Sequence, residues 1–214
     1  MEFIELIDKR RSANNFIEGV QITEKDLEPI FKDIMLAPSS FNLQPSEYIV
    51  VMDKEMKEKI REAAYNQYKV HSASAVIIVA ADRQAFEQTE RLHQGMLALG
   101  ILKEFEVQEI IEDNWKFYES RGEDFKKEDA VRNGSLSAML FMLAAKNRGW
   151  DTCPMIGFDQ EKVRELLNIP HMRELLNIPH THEVVLMITI GKEKEESRRL
   201  RGYRKPVGEF VSYL

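Results

Sequence analysis

Residues 75–81 read Ala-Val-Ile-Ile-Val-Ala-Ala, seven apolar side chains with no polar interruption. A strand with one wet face alternates apolar and polar residues, so an unbroken run marks a strand covered on both faces. This run therefore predicts a central strand between two layers. Working outward, residues 47–52 (Glu-Tyr-Ile-Val-Val-Met) and 183–190 (Glu-Val-Val-Leu-Met-Ile-Thr-Ile) carry the β-branched and aromatic residues of two further strands.

Helices are expected between and around these strands. Residues 3–9 place Phe3, Ile4 and Ile7 on one stripe, with Leu6 beside it. A second helix precedes Ala37. Thr23 with Asp26 has the spacing of a capping box, but Pro29 would then lie deep in the helix. A start with Asp26 as N-cap leaves Pro29 in the first turn and is preferred. Asp53 caps a helix from Lys54 to about Ala64, and residues 84–121 form a charged helical stretch interrupted around Gly95 and Gly100. Residues 127–147 make another helix, with Leu136, Met139, Leu140, Leu143 and Ala144 as its apolar stripe.

Strands are few, helices are long, and their order is not a regular β-α alternation. The expected fold is α+β, a mixed sheet flanked by helices, in one domain spanning residues 1–214. The helices carry more apolar face than so small a sheet covers, which points to a helix-mediated dimer.

Residues 164–172 (Arg-Glu-Leu-Leu-Asn-Ile-Pro-His-Met) return at 173–181 with only the last residue changed to Thr. Solenoids need longer and more numerous units, so this is a local duplication. Pro170 and Pro179 oppose a lengthened helix, so one copy is expected to hold the helix position and the other to loop out.

The formal net charge of -6 argues against sequence-independent nucleic-acid binding, which needs a basic face. The charged, amphipathic opening is unlike a secretory signal, no apolar run is long enough for a membrane span, and the single cysteine, Cys153, fits a reducing compartment. A cytoplasmic location is the expectation. Basic residues gather at Lys9, Arg10 and Arg11 and again at Arg198, Arg199, Arg201, Arg204 and Lys205. They read either as two solvated clusters or as one shared anion site.

Several common chemistries find no support. None of the ten glycines has another two positions away, and the Gly95–Gly100 pair is followed by Ile101 rather than Lys. Both glycine-rich phosphate cradles are thus missing, and a bound phosphate has to be held by side chains. His171, His180 and His182 lack the carboxylate or cysteine of a recognised metal spacing. Cys153 has no base paired with it in sequence and reads as a buried structural thiol. No nucleophile elbow of the acyl-transfer enzymes occurs.

Four segments remain: residues 10–16 (Arg-Arg-Ser-Ala-Asn-Asn-Phe), 37–45 (Ala-Pro-Ser-Ser-Phe-Asn-Leu-Gln-Pro), 66–69 (Asn-Gln-Tyr-Lys), and 154–159 (Pro-Met-Ile-Gly-Phe-Asp) together with the tail 202–206 (Gly-Tyr-Arg-Lys-Pro). Singly, each has an ordinary explanation as a helix end, a turn or a cap. Jointly, in this order and spacing, they resemble the nitroreductase-like FMN-dependent oxidoreductases over nearly the whole chain, more weakly across residues 84–128.

That resemblance implies an α+β fold forming an intertwined homodimer with FMN between the subunits. It implies that Arg10 and Arg204 hold the FMN phosphate, with Arg201 able to share the role of Arg204, and that Arg11 and Ser12 lie near the ribityl chain and flavin edge. Guanidinium suits this task because it binds phosphate bidentately and stays charged. Asn14 stands where many relatives carry a basic residue. Asn66 and Lys69 match positions at the pyrimidine side of the ring, where a cation stabilises negative charge on reduction. Pro38, Ser39, Ser40, Asn42 and Gln44 belong to the segment that reaches the other subunit's FMN. Around Met155, Ile156 and Gly157 the family offers a backbone N–H to flavin N5, so no side chain is required as a catalytic group. The activity implied is ping-pong hydride transfer from NADH or NADPH to a nitroaromatic, a quinone or a similar electron-poor acceptor. A non-catalytic flavin store or sensor, or reduction of an enone or halogenated aromatic, are the competing readings.

Overall fold

The computed structural model describes residues 1–167 and 180–214. The expectation on how the second repeat copy is accommodated falls on residues 168–179 and lies outside the described residues. Four strands, β1 (Ser46–Val51), β2 (Ala75–Asp82), β3 (Asp151–Met155) and β4 (His182–Gly191), form one sheet in the order β1-β2-β4-β3. All three ladders are antiparallel, and the parallel contribution is confined to an isolated bridge between Ser12 and Thr152.

The β2 run is central, as its composition predicts. Ala75, Ile77, Val79 and Ala81 face one core, built on helices α2 (Glu24–Ile34) and α7 (Gly122–Asn147). Val76, Ile78 and Ala80 face a second core, lined from α3 (Lys54–Ala63), α4 (Tyr68–Ser72) and α8 (Gln160–Leu167). Both faces are dry, so an alternating pattern has no work to do. A bulge between Val79 and Ala80 re-registers β4. Strand β3 was not anticipated from sequence. Its Pro154 cannot donate to a ladder, and the strand sits at the sheet edge, where a missing N–H is tolerated.

Two helix boundaries differ from expectation. Thr23, not Asp26, caps α2: its hydroxyl accepts from the Asp26 N–H while the Asp26 carboxylate accepts from the Thr23 N–H at 2.8 Å. Pro29 lies within the helix and is tolerated because the Lys25 carbonyl it leaves unpaired is on an exposed residue that water can serve. The charged stretch is broken at Gly100, φ +68, between α5 (Thr89–Ala98) and α6 (Glu104–Glu119), while Gly95 stays helical. The first helix, α1 (Phe3–Lys9), and the Asp53 cap of α3, which accepts from the Met56 N–H at 2.8 Å, are as expected.

The largest correction concerns α7, which starts five residues early and is rotated partly away from the expected face. Of the expected stripe, Ala144 is buried and Leu140 packs against the core, whereas Leu136 is 51% and Met139 is 42% exposed; the buried side otherwise runs through Ala130, Asn133, Gly134, Ser137, Ala138, Phe141 and Ala145. Small residues let the helix lie close on the strands. A Cβ at Gly134 would meet Val185 Cγ2 at 2.6 Å and Ala81 Cβ at 3.4 Å. Valine has few rotamers with which to yield, so Gly134→Ala is expected to lose about 1–3 kcal/mol of stability by overpacking, read as a lower midpoint in urea unfolding. An unchanged midpoint would show that this contact gives way.

Candidate functional site

Residues 10–17 leave α1 and are stitched between β3 and the segment that follows β4. The Ala13 N–H donates to the Thr152 carbonyl at 2.9 Å, Ile17 N–H to Lys192 O at 2.8 Å, and Lys194 N–H to Asn15 O at 3.0 Å. Ala13 and Phe16 are buried and anchor the segment, and Ser72 Oγ accepts the Phe16 N–H at 3.2 Å. Arg10, Arg11 and Ser12 therefore project from a fixed backbone. The C-terminal tail comes to meet them: Arg11 donates to the Arg199 carbonyl at 2.7 Å, and Arg201 bonds the Asp8 carbonyl.

The result is one cleft walled by Arg10, Arg11, Ser12, Arg199, Arg201 and Arg204, with an open volume of about 520 Å³. Glu193 also lines it, but that carboxylate is taken by Arg198 at 2.9 Å. Arg201 lies 3.4 Å from Asp8 Oδ1, while Arg204, among the described residues, donates to the carbonyls of Gly202 and Tyr203, at 3.0 Å each. The Arg10 guanidinium is held below its ordinary range, first by burial and then by repulsion from Arg201 and Arg204. Five arginines thus share the cleft with Glu193, held by Arg198, and with Asp8 beside Arg201, an excess of positive charge that favours an anion. These five come from the two basic runs, while Lys9, Arg198 and Lys205 of the same runs are not part of the cleft lining.

Along the same edge, Lys69 donates to Cys153 Sγ at 3.5 Å, and Gln67 Nε2 donates to the Gly157 carbonyl at 2.8 Å. Cys153 and Met155 are buried, whereas Ile156 is 78% exposed and Gly157 is exposed beside it. Ser12 is thus next to Thr152, Lys69 next to Cys153, and residue 67 next to Gly157, so three of the four segments converge on β3 and its exit. Asn14 lies one residue beyond the Ala13 hydrogen bond and does not line the arginine cleft.

The segment 37–45 is elsewhere. It enters β1 at Ser46, which pairs with Ala81, while Ser12 bridges Thr152, whose partner Ile190 pairs with Ala75. Six residues along the strands and four strand spacings across, the last from Thr152 to Ser12, put Ser12 and Ser46 on the order of 28 Å apart, at diagonal corners of the sheet. The hydroxyls of Ser39 and Ser40 are already engaged: Ser39 Oγ accepts from the Gln44 N–H at 2.9 Å and Ser40 Oγ donates to Asp129 Oδ1 at 2.9 Å. Pro38, Asn42 and Gln44 are exposed.

Backbone strain marks the same segments. The non-glycine residues with positive φ among the described residues are Phe41, Asn42 and Gln44 in segment 37–45, Asn66 at the start of segment 66–69, and Tyr65 just before it. A left-handed non-glycine residue costs on the order of 1 kcal/mol, and its persistence at chosen loops is a pointer to function.

A sequence profile of the nitroreductase family matches residues 7–192. The chain belongs to that family. This nitroreductase is 54% identical over 213 residues to MhqN of Bacillus subtilis, provisionally described as an NAD(P)H nitroreductase, with 100% of this chain and 99% of the relative covered. The crystal structure of YdfN, a provisional nitroreductase of Bacillus subtilis, superposes with a TM-score of 0.92 at 53% identity, covering 99% of this chain and 98% of that one. A provisional nitroreductase from Exiguobacterium sibiricum, solved in complex with FMN, gives a TM-score of 0.88 at 25% identity, covering 100% and 98%.

Four residues that the sequence reading did not choose stand against the candidate segments: Arg199 in the cleft wall, Gln67 on Gly157, Ser72 under Phe16, and Cys153 against Lys69. Gln67 stands between two residues that were chosen. Its role depends on a loop ninety positions away, so no local signal announces it.

Proposed function

We propose that this chain is the protomer of a homodimeric, FMN-dependent NAD(P)H oxidoreductase acting on planar, electron-poor acceptors such as nitroaromatics and quinones. The observation that carries the reading is the arginine cleft, assembled from both ends of the chain and short of compensating charge. An FMN phosphate fits it, because its dianion removes the repulsion that Arg10 feels. FMN supplies a ring that takes a hydride from a nicotinamide and passes the reducing equivalents to an acceptor in the same slot.

The protein binds and orients. Arg10 and Arg204, with Arg201 tethered to Asp8, grip the phosphate, and Arg11 and Ser12 border the adjoining chain of the cofactor. Asn66 and Lys69 face the pyrimidine side of the ring, where Lys69 sets a cation at the place that gains negative charge. Exposed backbone at Ile156 and Gly157 offers a donor whose usefulness is independent of side-chain identity. The Phe158 N–H donates to the Ile156 carbonyl at 3.1 Å and so orients the peptide that carries the Gly157 N–H, while Gln67 holds the Gly157 carbonyl of the next peptide.

Dimerisation is supported by what the single chain leaves uncovered. Leu136 and Met139 of α7 are exposed, as are Phe3, Ile4 and Ile7 of the neighbouring α1 and Phe210, Tyr213 and Leu214 of the tail. Apolar surface of this extent is what an isologous interface buries. A two-fold pair also explains the diagonal separation of the loop 37–45 from the arginine cleft: the loop serves the partner's cofactor.

The expected result on titrating purified protein with FMN is one flavin bound per chain. Under argon, NADH or NADPH bleaches the visible flavin band and a nitroaromatic or quinone restores it. Protein that takes up no FMN overturns the proposal, and bound flavin that neither nicotinamide bleaches leaves a binding module in place of an enzyme.

A further inference from the structure

The loop 37–45 holds three left-handed residues, so it needs an external restraint to keep its shape. That restraint is a buried polar cluster on α7. Asp129 is 9% exposed, and its Oδ2 accepts from the Tyr118 hydroxyl at 2.7 Å and from Asn133 Nδ2 at 2.9 Å. Its Oδ1 accepts from Ser40 Oγ at 2.9 Å, while Asn133 Oδ1 accepts the Ser40 N–H at 2.9 Å. Phe41, next in the loop, packs edge-on against Phe117 and Tyr118, with ring centroids 4.9 and 6.1 Å away.

The chemistry of this cluster is unusual for a helix face laid on a core. Lys126, one turn earlier, is paired with Glu119 and Glu123, so Asp129 is compensated by hydrogen bonds from neutral donors. The Tyr118 phenol is pushed above its ordinary range by burial and then by the adjacent carboxylate, which keeps it protonated and donating. An apolar residue at position 129 would spare the desolvation of a carboxylate. A buried charge tied to three elements instead specifies a single arrangement of those elements. The elements are α6 through Tyr118, α7 through Asn133, and the loop through Ser40. The helix beneath them lies close on the sheet, with no room for a Cβ at Gly134 beside Val185.

We propose that Asp129 is a positioning residue that presents its own subunit's loop 37–45 to the FMN of the partner subunit, so that each cofactor site depends on an Asp129 from the other chain. The inference rests on the FMN-dimer reading above. It adds a residue with no contact to the cofactor, and it assigns a direction to the dependence.

The test uses apoprotein and free FMN, with flavin fluorescence as readout. Asp129→Ala removes both acceptor oxygens, so the side-chain hydrogen bonds from Tyr118, Asn133 and Ser40 to this position are all lost, whereas the NH2 of an amide could donate to the Ser40 hydroxyl. The homodimer carrying it is expected to bind FMN at least about tenfold more weakly while still eluting as a dimer. A mixed dimer is then prepared with two affinity tags, one chain carrying Asp129→Ala and the other Arg10→Ala with Arg204→Ala. One site then combines intact arginines with an intact loop, and the mixed dimer is expected to bind one FMN with wild-type affinity. General damage to the Asp129→Ala chain, or action of the loop within its own subunit, predicts no wild-type site in the mixed dimer and overturns the proposal. So do two wild-type sites in the Asp129→Ala homodimer. A wild-type dimer that binds no FMN overturns the underlying reading instead, and is told apart by that control alone.

Discussion

Replacing Arg10 and Arg204 together by alanine is expected to weaken FMN binding by a factor of roughly 10²–10⁴. Each side chain supplies a charge-assisted hydrogen bond to the phosphate worth about 1.5–3 kcal/mol, and 1.4 kcal/mol is tenfold in affinity. Arg201 and Arg199 remain in the cleft, which keeps the loss below complete abolition. Riboflavin lacks the phosphate, so its affinity is expected to change far less, and the ratio of the two ligands isolates the phosphate contribution. Stability should move the other way. Arg10 is disfavoured by burial and by Arg201 and Arg204 in the free chain, so deleting two of these charges leaves the melting temperature of the apoprotein unchanged or raised. Retention of wild-type FMN affinity would remove the arginine cleft from the cofactor site.

Charge placed on the exposed face of α7 is expected to have an equally large effect from a distance. Leu136→Asp with Met139→Asp puts two carboxylates where the proposed interface buries apolar surface, a cost of several kcal/mol per interface copy. At micromolar concentration the protein should sediment as a monomer, a shift of about 10³-fold or more in the dimer dissociation constant. Both positions are exposed in the single chain, so the fold is expected to survive, as judged by circular dichroism. FMN binding should fall with the dimer, although neither residue lines the arginine cleft. A monomer that binds FMN tightly would refute the shared site, because the loop 37–45 lies at the far corner of its own sheet.

Much of this nitroreductase was legible because it is written in local terms. The apolar run of β2 can only be a strand dry on both faces, since any wet face would select polar residues at alternate positions. The Asp53 cap and the helix at Phe3–Lys9 depend on residues within a turn of one another. The residues that line the cleft were legible too, as two basic runs, although the runs alone left open whether they were two solvated clusters or one shared anion site.

Other features were decided only by packing. Helix α7 is apolar on two sides, and periodicity alone favours the stripe with the larger residues, Leu136 and Met139. Close approach to the sheet selects the smaller side, Ala130, Gly134 and Ala138, and leaves Leu136 and Met139 outside, while Leu140 and Ala144 of the same stripe still reach the core. Strand β3 hides behind its proline and exists through its pairing with β4, some thirty residues later. The meeting of Arg10 with Arg204, the hold of Gln67 on Gly157 and the tie from Asp129 to Ser40 join positions separated by ninety residues or so and more. A sequence names the groups, but distance between them is a property of the folded chain, because the sheet order β1-β2-β4-β3 sets which corners become neighbours.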